Sequence, residues 1–141
     1  MEYREESDLL GSRMIPKDAY WGVQTLRAQE NFGVSLVTLN QYTTLVQALA
    51  MVKKACALAN KDLGHLEPEY ADAIIQACDE IIDGKLHDQF VVDMLQGGAG
   101  TSTNMCTNEV IASRANELLG EERRKPQSGE RPRENKNGIC Q

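Results

Sequence analysis

The sequence predicts a mainly α-helical fold that opens with a short β-hairpin. Three segments of the 141-residue chain carry apolar side chains at intervals of three and four residues, the spacing of amphipathic helices. A glycine follows each of them, at Gly64, Gly84 and Gly120, as is typical of helix ends. The first 16 residues instead hold two short apolar pieces around Gly11-Ser12, which favours a pair of strands.

The opening part of the chain is expected to hold the hairpin within residues 1–16 and then one short helix. Pro16 and Asp18 predict the start of that helix, because both residues are favoured in or just before a first turn. It is expected to run through Trp21 and to end near Asn31-Phe32.

The longest helix is predicted at residues 41–63, with Asn40 as its cap. Apolar residues at intervals of three and four predict one buried stripe. Its members are Leu45, Leu49, Val52, Cys56 and Ala59. Lys53 and Lys54 lie off this stripe, so a solvated face is favoured for them over a role in ligand binding.

A further helix is predicted at residues 68–83, with Pro68 in its first turn. The loop before it is short, so the two helices should pack antiparallel. His87 follows, and since it has no partner pattern beyond Asp88, a structural or hydrogen-bonding role is predicted. Phe90 to Leu95 reads as a buried extended segment.

Residues 96–104 read Gln-Gly-Gly-Ala-Gly-Thr-Ser-Thr-Asn and lead into a helix predicted at residues 103–119. Glycines let backbone amides approach a ligand, and the following helix presents free N–H groups, so the pattern fits a carboxylate or phosphate site. A glycine turn followed by hydroxyl caps explains it equally well. A Walker loop is excluded because no lysine follows Gly100, and the glycine spacing does not match the dinucleotide fingerprint.

Charge and cysteine content narrow the class of protein. The net charge is −6, although residues 121–141 hold six Lys or Arg against four Asp or Glu, so the rest of the chain is acidic. This argues against nucleic acid as a partner, and no apolar run suggests a membrane or an export signal, so a cytoplasmic location is expected. The four cysteines are 22, 28 and 34 residues apart, which predicts reduced, mostly buried thiols and no metal site.

Several motifs together resemble one family. Residues 96–104 are similar to the N-terminal signature of the aspartase/fumarase superfamily, and the resemblance covers residues 5 to about 120 in order. Other matching pieces are Asp8-Leu9-Leu10-Gly11, Ile15-Pro16, residues 18–25, Val52-Lys53-Lys54, Ala57-Leu58-Ala59-Asn60, residues 87–90, Asn108-Glu109-Val110-Ile111-Ala112 and Arg114-Ala115. The Gly-Gly-Ala-Gly-Thr-Ser-Thr-Asn variant resembles the aspartase branch, whereas class II fumarases usually carry Gly-Ser-Gly-Thr-Gln-Ser-Asn.

The resemblance implies the N-terminal domain of that fold over residues 1–120 and a lyase that interconverts L-aspartate with fumarate and ammonia without a cofactor. A class II fumarase-like hydratase and a non-catalytic helical polypeptide remain alternatives. The resemblance implies that Thr101 contacts a substrate carboxylate or amine. The other implied substrate-binding residues are Gly100, Ser102, Thr103 and Asn104. Gln24 and Thr25 lie near the site in the family, but plain exposure on a helix explains them equally well.

After Gly120 the sequence leaves the family's pattern. Residues 121–141 are rich in charge and have Ile139 as their only aliphatic side chain, which predicts a disordered tail. The family's serine-bearing loop and its second helical domain have no counterpart, so we expect a fragment, frameshift or truncated product that holds no catalytic residue and is inactive alone. Family sites combine residues from three subunits of a homotetramer, so this chain is expected to hold one corner of a site. Cys106 stands where relatives usually have asparagine.

Overall fold

A hairpin and four helices make up the part of the chain that the computed structural model describes, residues 1–123. Strand β1 spans Tyr3–Asp8 and pairs antiparallel with β2, which spans Gly11–Pro16. Asp8 lies opposite Gly11, so the exposed pair Leu9-Leu10 forms the turn. The predicted hairpin is confirmed.

Helix α1 spans Val23–Asn31, so its predicted end is confirmed and its predicted start at Pro16-Asp18 is wrong. The chain between β2 and α1 instead wraps around the side chain of Arg4. The Arg4 guanidinium donates hydrogen bonds of 2.8–2.9 Å to four backbone carbonyls, those of Pro16, Lys17, Ala19 and Trp21. The Pro16 carbonyl also accepts the Ala19 N–H at 3.1 Å, so these residues form a turn around the guanidinium and the helix begins after them.

Helix α2 spans Thr43–Asp62, close to its predicted bounds. The predicted cap Asn40 is wrong, because Tyr42 precedes the helix. Asn40 lies in a 3-10 turn, Leu39–Gln41, and its N–H donates to the carbonyl of Phe90 at 2.9 Å. The cap is therefore displaced by a contact with a distant part of the chain.

The predicted buried stripe of α2 is also wrong. Leu45 and Val52 are 39% and 60% exposed. The buried positions are Val46, Ala50, Lys53 and Ala57. Apolar residues occur on nearly every side of α2, so more than one set fits helical spacing. The set that packs inward is the one with two alanines, whose small side chains let a neighbouring helix approach closely.

Helix α3 spans Pro68–Ile82 and packs antiparallel against α2, which confirms the predicted helical hairpin. The direction follows from three contacts along the pair: Gln47 with the Ile82 carbonyl at 2.8 Å, Lys54 with Asp79 at 2.5 Å, and Lys61 with Asp72 at 2.5 Å. Lys54 is thus ion-paired with α3. His87, in the 3-10 turn His87–Gln89, lies with its Nε2 2.8 Å from the Ile81 carbonyl, which confirms its hydrogen-bonding role.

Helix α4 spans Thr101–Leu118 and runs through the centre of the fold, with every residue from 106 to 111 buried. The segment before it contributes the buried Phe90 and Val92 to the core and forms one bridge, between Thr38 and Asp93. Residues 124–141 lie outside the described residues, so the predicted tail stays a prediction.

Two of the cysteines are buried as predicted. Cys78 and Cys106 have no exposed surface, and burial raises the pKa of each thiol to about 12. The Cys106 Sγ donates to the carbonyl of Gln89 at 3.7 Å. The buried Cys106 thiol therefore has a backbone hydrogen-bond partner. Cys140 lies outside the described residues.

Candidate functional site

An open cleft of about 770 Å³ lies between α2 and the start of α4. Its walls are formed by Gln24, Val52, Lys53, Cys56, Ala99, Gly100, Thr101, Asn104 and Met105. Three of the five predicted binding residues, Gly100, Thr101 and Asn104, are therefore on its surface. Ser102 and Thr103 are not among the lining residues. The cleft brings the glycine loop, residues 97–100 immediately before α4, against α2.

The glycine loop owes its shape to three consecutive residues in the left-handed region. Their φ angles are +81° at Gly98, +54° at Ala99 and +81° at Gly100. L-residues with a Cβ rarely adopt such angles, which is the reason for glycine at two of the three positions. Helix α4 then begins at Thr101, two residues earlier than predicted.

Some of the backbone N–H groups around the start of α4 have acceptors within the chain and some do not. Three N–H groups have acceptors. That of Thr101 donates to the Gly98 carbonyl at 3.1 Å, that of Thr103 to the Gln96 side chain at 3.0 Å, and that of Asn104 to the Gly100 carbonyl at 3.0 Å. Among those that have no intramolecular acceptor within residues 1–123 are the N–H groups of Ala99, Gly100 and Ser102. These three donors are available to an anion at the positive end of the helix dipole.

The Thr101 hydroxyl closes the loop from the helix side. Its Oγ1 donates to the Gly98 carbonyl at 2.8 Å, and the residue is exposed. Its oxygen lone pairs can accept while that bond persists, and rotation about the Cβ–Oγ1 bond would free the proton for another acceptor. Thr101 is thus placed as a polar group at the mouth of the loop.

Lys53 lies in the cleft wall and is only 7% exposed, so the predicted solvated position is wrong. Its Nζ donates to the Asn104 Oδ1 at 2.6 Å. The ammonium is buried because α2 faces α4 at this point and the Asn104 amide supplies a hydrogen-bond partner. Lys53 places a positive charge beside the glycine loop. The spacing of residues 46, 50, 53 and 57 is the signal that could have revealed it.

Gln24 and Thr25 are neighbours in α1 but lie in different surroundings. Gln24 lines the cleft, and its Nε2 donates to the Asp8 carboxylate at 2.9 Å. Thr25 is fully buried and donates its hydroxyl proton to Glu109 at 2.7 Å. Only the first of the pair borders the cleft.

Glu109 is a buried residue of α4 that sequence reasoning did not single out. It is 2% exposed, and its carboxylate accepts the N–H groups of Gly22, Gln24 and Thr25 at 2.8–3.1 Å. The remaining N–H at this helix start, from Val23, donates to Glu6 at 3.1 Å. Two carboxylates therefore cap α1 and hold it against α4.

Asp93 holds the segment that leads into the glycine loop. Its carboxylate accepts the Ser35 hydroxyl at 2.6 Å and backbone N–H groups from Ser35, Leu36 and Leu95 at 2.7–2.9 Å. The Ser35 hydroxyl hydrogen bond, aided by the backbone donors, lowers the pKa of Asp93 to about 2. The approach to the loop is thereby tied to residues 35–36.

Among residues 1–123 no three His, Cys, Asp or Glu side chains gather closely enough to hold a metal ion. In the same part of the chain, no helix combines the length and apolar character needed to span a bilayer.

A family model described as a lyase matches residues 11–134 of this chain. The chain belongs to the aspartase/fumarase superfamily. Its curated relatives include an aspartate ammonia-lyase of Pseudomonas aeruginosa, 59% identical over 83% of this chain and 25% of the relative. A class II fumarate hydratase of Halobacterium salinarum is 56% identical over 86% of this chain and 25% of its own length.

Solved structures of this superfamily share the fold. A fumarate lyase:delta crystallin from Brucella melitensis is 61% identical with a TM-score of 0.85, over 86% of this chain and 28% of that one. A class II fumarase from Schistosoma mansoni is 36% identical with a TM-score of 0.78, over 87% and 26%. The chain spans about a quarter of the length of the curated relatives it matches.

Proposed function

We propose that this chain supplies the carboxylate-binding loop of an aspartate ammonia-lyase site, in which L-aspartate is converted reversibly to fumarate and ammonia. The observation that carries the proposal is the glycine loop, where Ala99 and Gly100, whose amides have no acceptor within residues 1–123, line a cleft beside the buried Lys53. Both the substrate and the product are dicarboxylates. Backbone N–H groups and a positive side chain are the donors that a carboxylate prefers.

The chemistry explains why such donors matter. Removing a proton from the carbon beside a carboxylate develops a second negative charge on that carboxylate, as an aci-carboxylate. Preorganised donors stabilise this charge, and each one typically lowers the barrier by about 2.7–4 kcal/mol. In the proposal Gly100 and Ser102 contribute their backbone N–H groups and Thr101 its hydroxyl. Asn104 holds Lys53 in the cleft wall, and Thr103 contributes to the fold of the loop.

The proposal assigns no catalytic residue to this chain. A general base must lie within hydrogen-bond reach of the carbon acid, and in the family a serine loop beyond the matched quarter supplies it. We therefore expect the isolated chain to bind fumarate or aspartate with millimolar affinity at best and to release no ammonia. The site would be completed by further chains in a homotetramer of the family type.

A class II fumarase-like activity is the second candidate, and the 56% identity to a fumarate hydratase favours it. Aspartate and malate differ in the leaving group and share both carboxylates, so this loop would serve either reaction. The ammonia-lyase is preferred because the Gly-Gly-Ala-Gly-Thr-Ser-Thr-Asn variant resembles the aspartase branch. A third candidate is a non-catalytic polypeptide that only associates with a longer lyase.

The test supplies the missing part of the site in trans. The 141-residue chain is mixed with the remaining three quarters of the Pseudomonas aeruginosa relative, and fumarate formation is followed from L-aspartate and, separately, from L-malate. Turnover of aspartate by the mixture supports the proposal, and turnover of malate alone supports the second candidate.

Two matched variants localise the effect in that mixture. Thr101→Ala is expected to lower turnover about 100-fold, as for loss of one oxyanion donor. Ser102→Ala should change it less than about threefold, because Ser102 is proposed to act through its backbone. Equal losses in both variants would contradict the assignment, and ammonia release by the isolated chain would contradict the placement of the base elsewhere.

A further inference from the structure

Gln96 is the residue that joins the two ends of the glycine loop. Its Nε2 donates to the Asp93 carbonyl on one side and to the Thr103 Oγ1 on the other, both at 2.9 Å. Its Oε1 accepts the Thr103 N–H at 3.0 Å. Because a carbonyl only accepts and a backbone N–H only donates, these partners determine the orientation of the amide. One side chain therefore closes a loop of six residues.

The closing contact also replaces the missing helix cap. The residue at the cap position of α4 is Gly100, which has no side chain to offer. A cap side chain would normally accept an N–H from the second or third residue of the helix. Gln96 accepts the N–H of the third helical residue, Thr103. The N–H of the second residue, Ser102, is left without an intramolecular acceptor within residues 1–123.

Asp93, which accepts one of the Gln96 hydrogen bonds, is itself held in place by hydrogen bonds. The Asp93 carboxylate is bonded to Ser35 and Leu36, while the Asp93 carbonyl receives the Gln96 amide. A continuous chain of hydrogen bonds therefore runs from residues 35–36 to the first turn of α4. A loop held at both ends keeps its donors in place before a ligand arrives, which reduces the ordering cost of binding.

We propose that Gln96 is a positioning residue for the carboxylate site: it caps α4 from outside the helix and so selects the Ser102 and loop amides, rather than the Thr103 amide, as the anion donors. This inference rests on the proposed function of the loop. Gln96 does not touch the carboxylate in this arrangement, since its amide is used by Asp93 and Thr103. Its effect is on which N–H groups remain for the ligand and on how rigidly they are held.

The test uses the 141-residue chain, ¹⁵N-labelled, with fumarate as the probe. Two quantities are measured: hydrogen-exchange protection of the Thr103 amide, relative to Val110 in the same helix, and the fumarate-induced shifts of the Gly100 and Ser102 amides. Gln96→Ala is expected to lower Thr103 protection and to raise the Kd for fumarate, each about tenfold. Gln76→Ala, on an exposed position of α3, is the control and should change neither.

A conservative variant separates capping from folding. Gln96→Glu keeps an acceptor for the Thr103 N–H but cannot donate to the Asp93 carbonyl, and it adds a negative charge beside the anion site. It should retain most of the Thr103 protection and still lose fumarate affinity. If Gln96→Ala leaves either the fumarate affinity or the Thr103 protection unchanged, the inference is overturned while the proposed function stands. Absence of fumarate-induced shifts in the unsubstituted chain overturns the proposed function, and the inference with it.

Discussion

Helices α1 and α4 begin in the same way, but the groups that surround their first backbone N–H donors differ in charge. Each has glycine at the cap position, Gly22 and Gly100, and neither glycine can cap with a side chain. At α1 the buried carboxylates of Glu109 and Glu6 take up the first N–H groups. At α4 one neutral amide, from Gln96, takes a single N–H.

The difference shows that a glycine followed by a helix does not define an anion site. Both helix starts carry the same positive dipole end, but at α1 that end is already neutralised by the protein's own acidic groups. Of these two helix starts, that of α4 is the one that leaves amides for a ligand. The identity of the side chains that reach the helix start, more than the local motif, decides which terminus can bind a substrate.

The largest effect is expected from removing the acceptor at α1. Glu109→Ala leaves three backbone N–H groups and the Thr25 hydroxyl without their buried acceptor, so we expect a loss of about 4 kcal/mol in the free energy of unfolding. Urea unfolding followed by circular dichroism measures it. Glu69→Ala, at an exposed position of α3, should stay within about 0.5 kcal/mol. A loss below about 1 kcal/mol in the Glu109 variant would show that α1 is not held by this carboxylate.

An intermediate effect is expected from acid at the approach to α4. The pKa of Asp93 is about 2 in the folded chain and lies below the usual value of about 3.9, so folding favours the ionised form. The stabilisation from Asp93 is complete above about pH 4 and is lost as the pH falls from there toward 2. Asp93→Asn should lack this part of the pH dependence, because asparagine does not titrate in that range. Unfolding free energies at several values of pH between 5 and 2 provide the measurement.

Matching acid slopes in the unsubstituted chain and in Asp93→Asn would contradict this account. Glu117 has its pKa lowered to about 2 as well, chiefly by the Tyr20 hydroxyl, and it titrates in both proteins. The difference between the two curves therefore isolates Asp93.

The smallest effect is expected from the backbone of the loop. Gly100→Ala forces a Cβ into a φ of +81°, which costs about 1 kcal/mol in the free energy of unfolding. Gly33→Ala is the matched control, because its φ is ordinary and nothing lies within 4 Å of an added Cβ. That control should be neutral or slightly stabilising. Thermal unfolding compares the two, and equal changes would mean that the left-handed turn carries no strain.

Features encoded by neighbouring residues were predictable from the sequence. Pro68, Gly64 and Gly84 set helix boundaries through their own backbone preferences, and α3 has close to its predicted bounds. The glycine loop and the helix after it were also predictable, because left-handed turns and helix starts need particular residues within a few positions. The substrate roles of Thr101 and its neighbours stay predictions.

Features that depend on distant partners were not predictable in this way. The start of α1 depends on Glu109, which lies 87 residues from Gly22 along the sequence. It also depends on the hydrogen bonds that Arg4 donates to the preceding carbonyls. Lys53 is buried because of how α2 meets α4, a fact that helical spacing leaves undetermined when several faces of a helix are apolar. The cap at α4 was missed because it comes from a glutamine outside the helix.

The positions of the cysteines allow the cleft to be labelled selectively with a thiol reagent. Thiolates, not thiols, react with maleimides and iodoacetamides, and pKa values of about 12 keep the buried Cys78 and Cys106 protonated at neutral pH. Cys56 lines the cleft and is partly exposed. In a Cys140→Ser background, an environment-sensitive fluorophore attached at Cys56 would stand across from the glycine loop and report, by its emission, when the cleft is occupied.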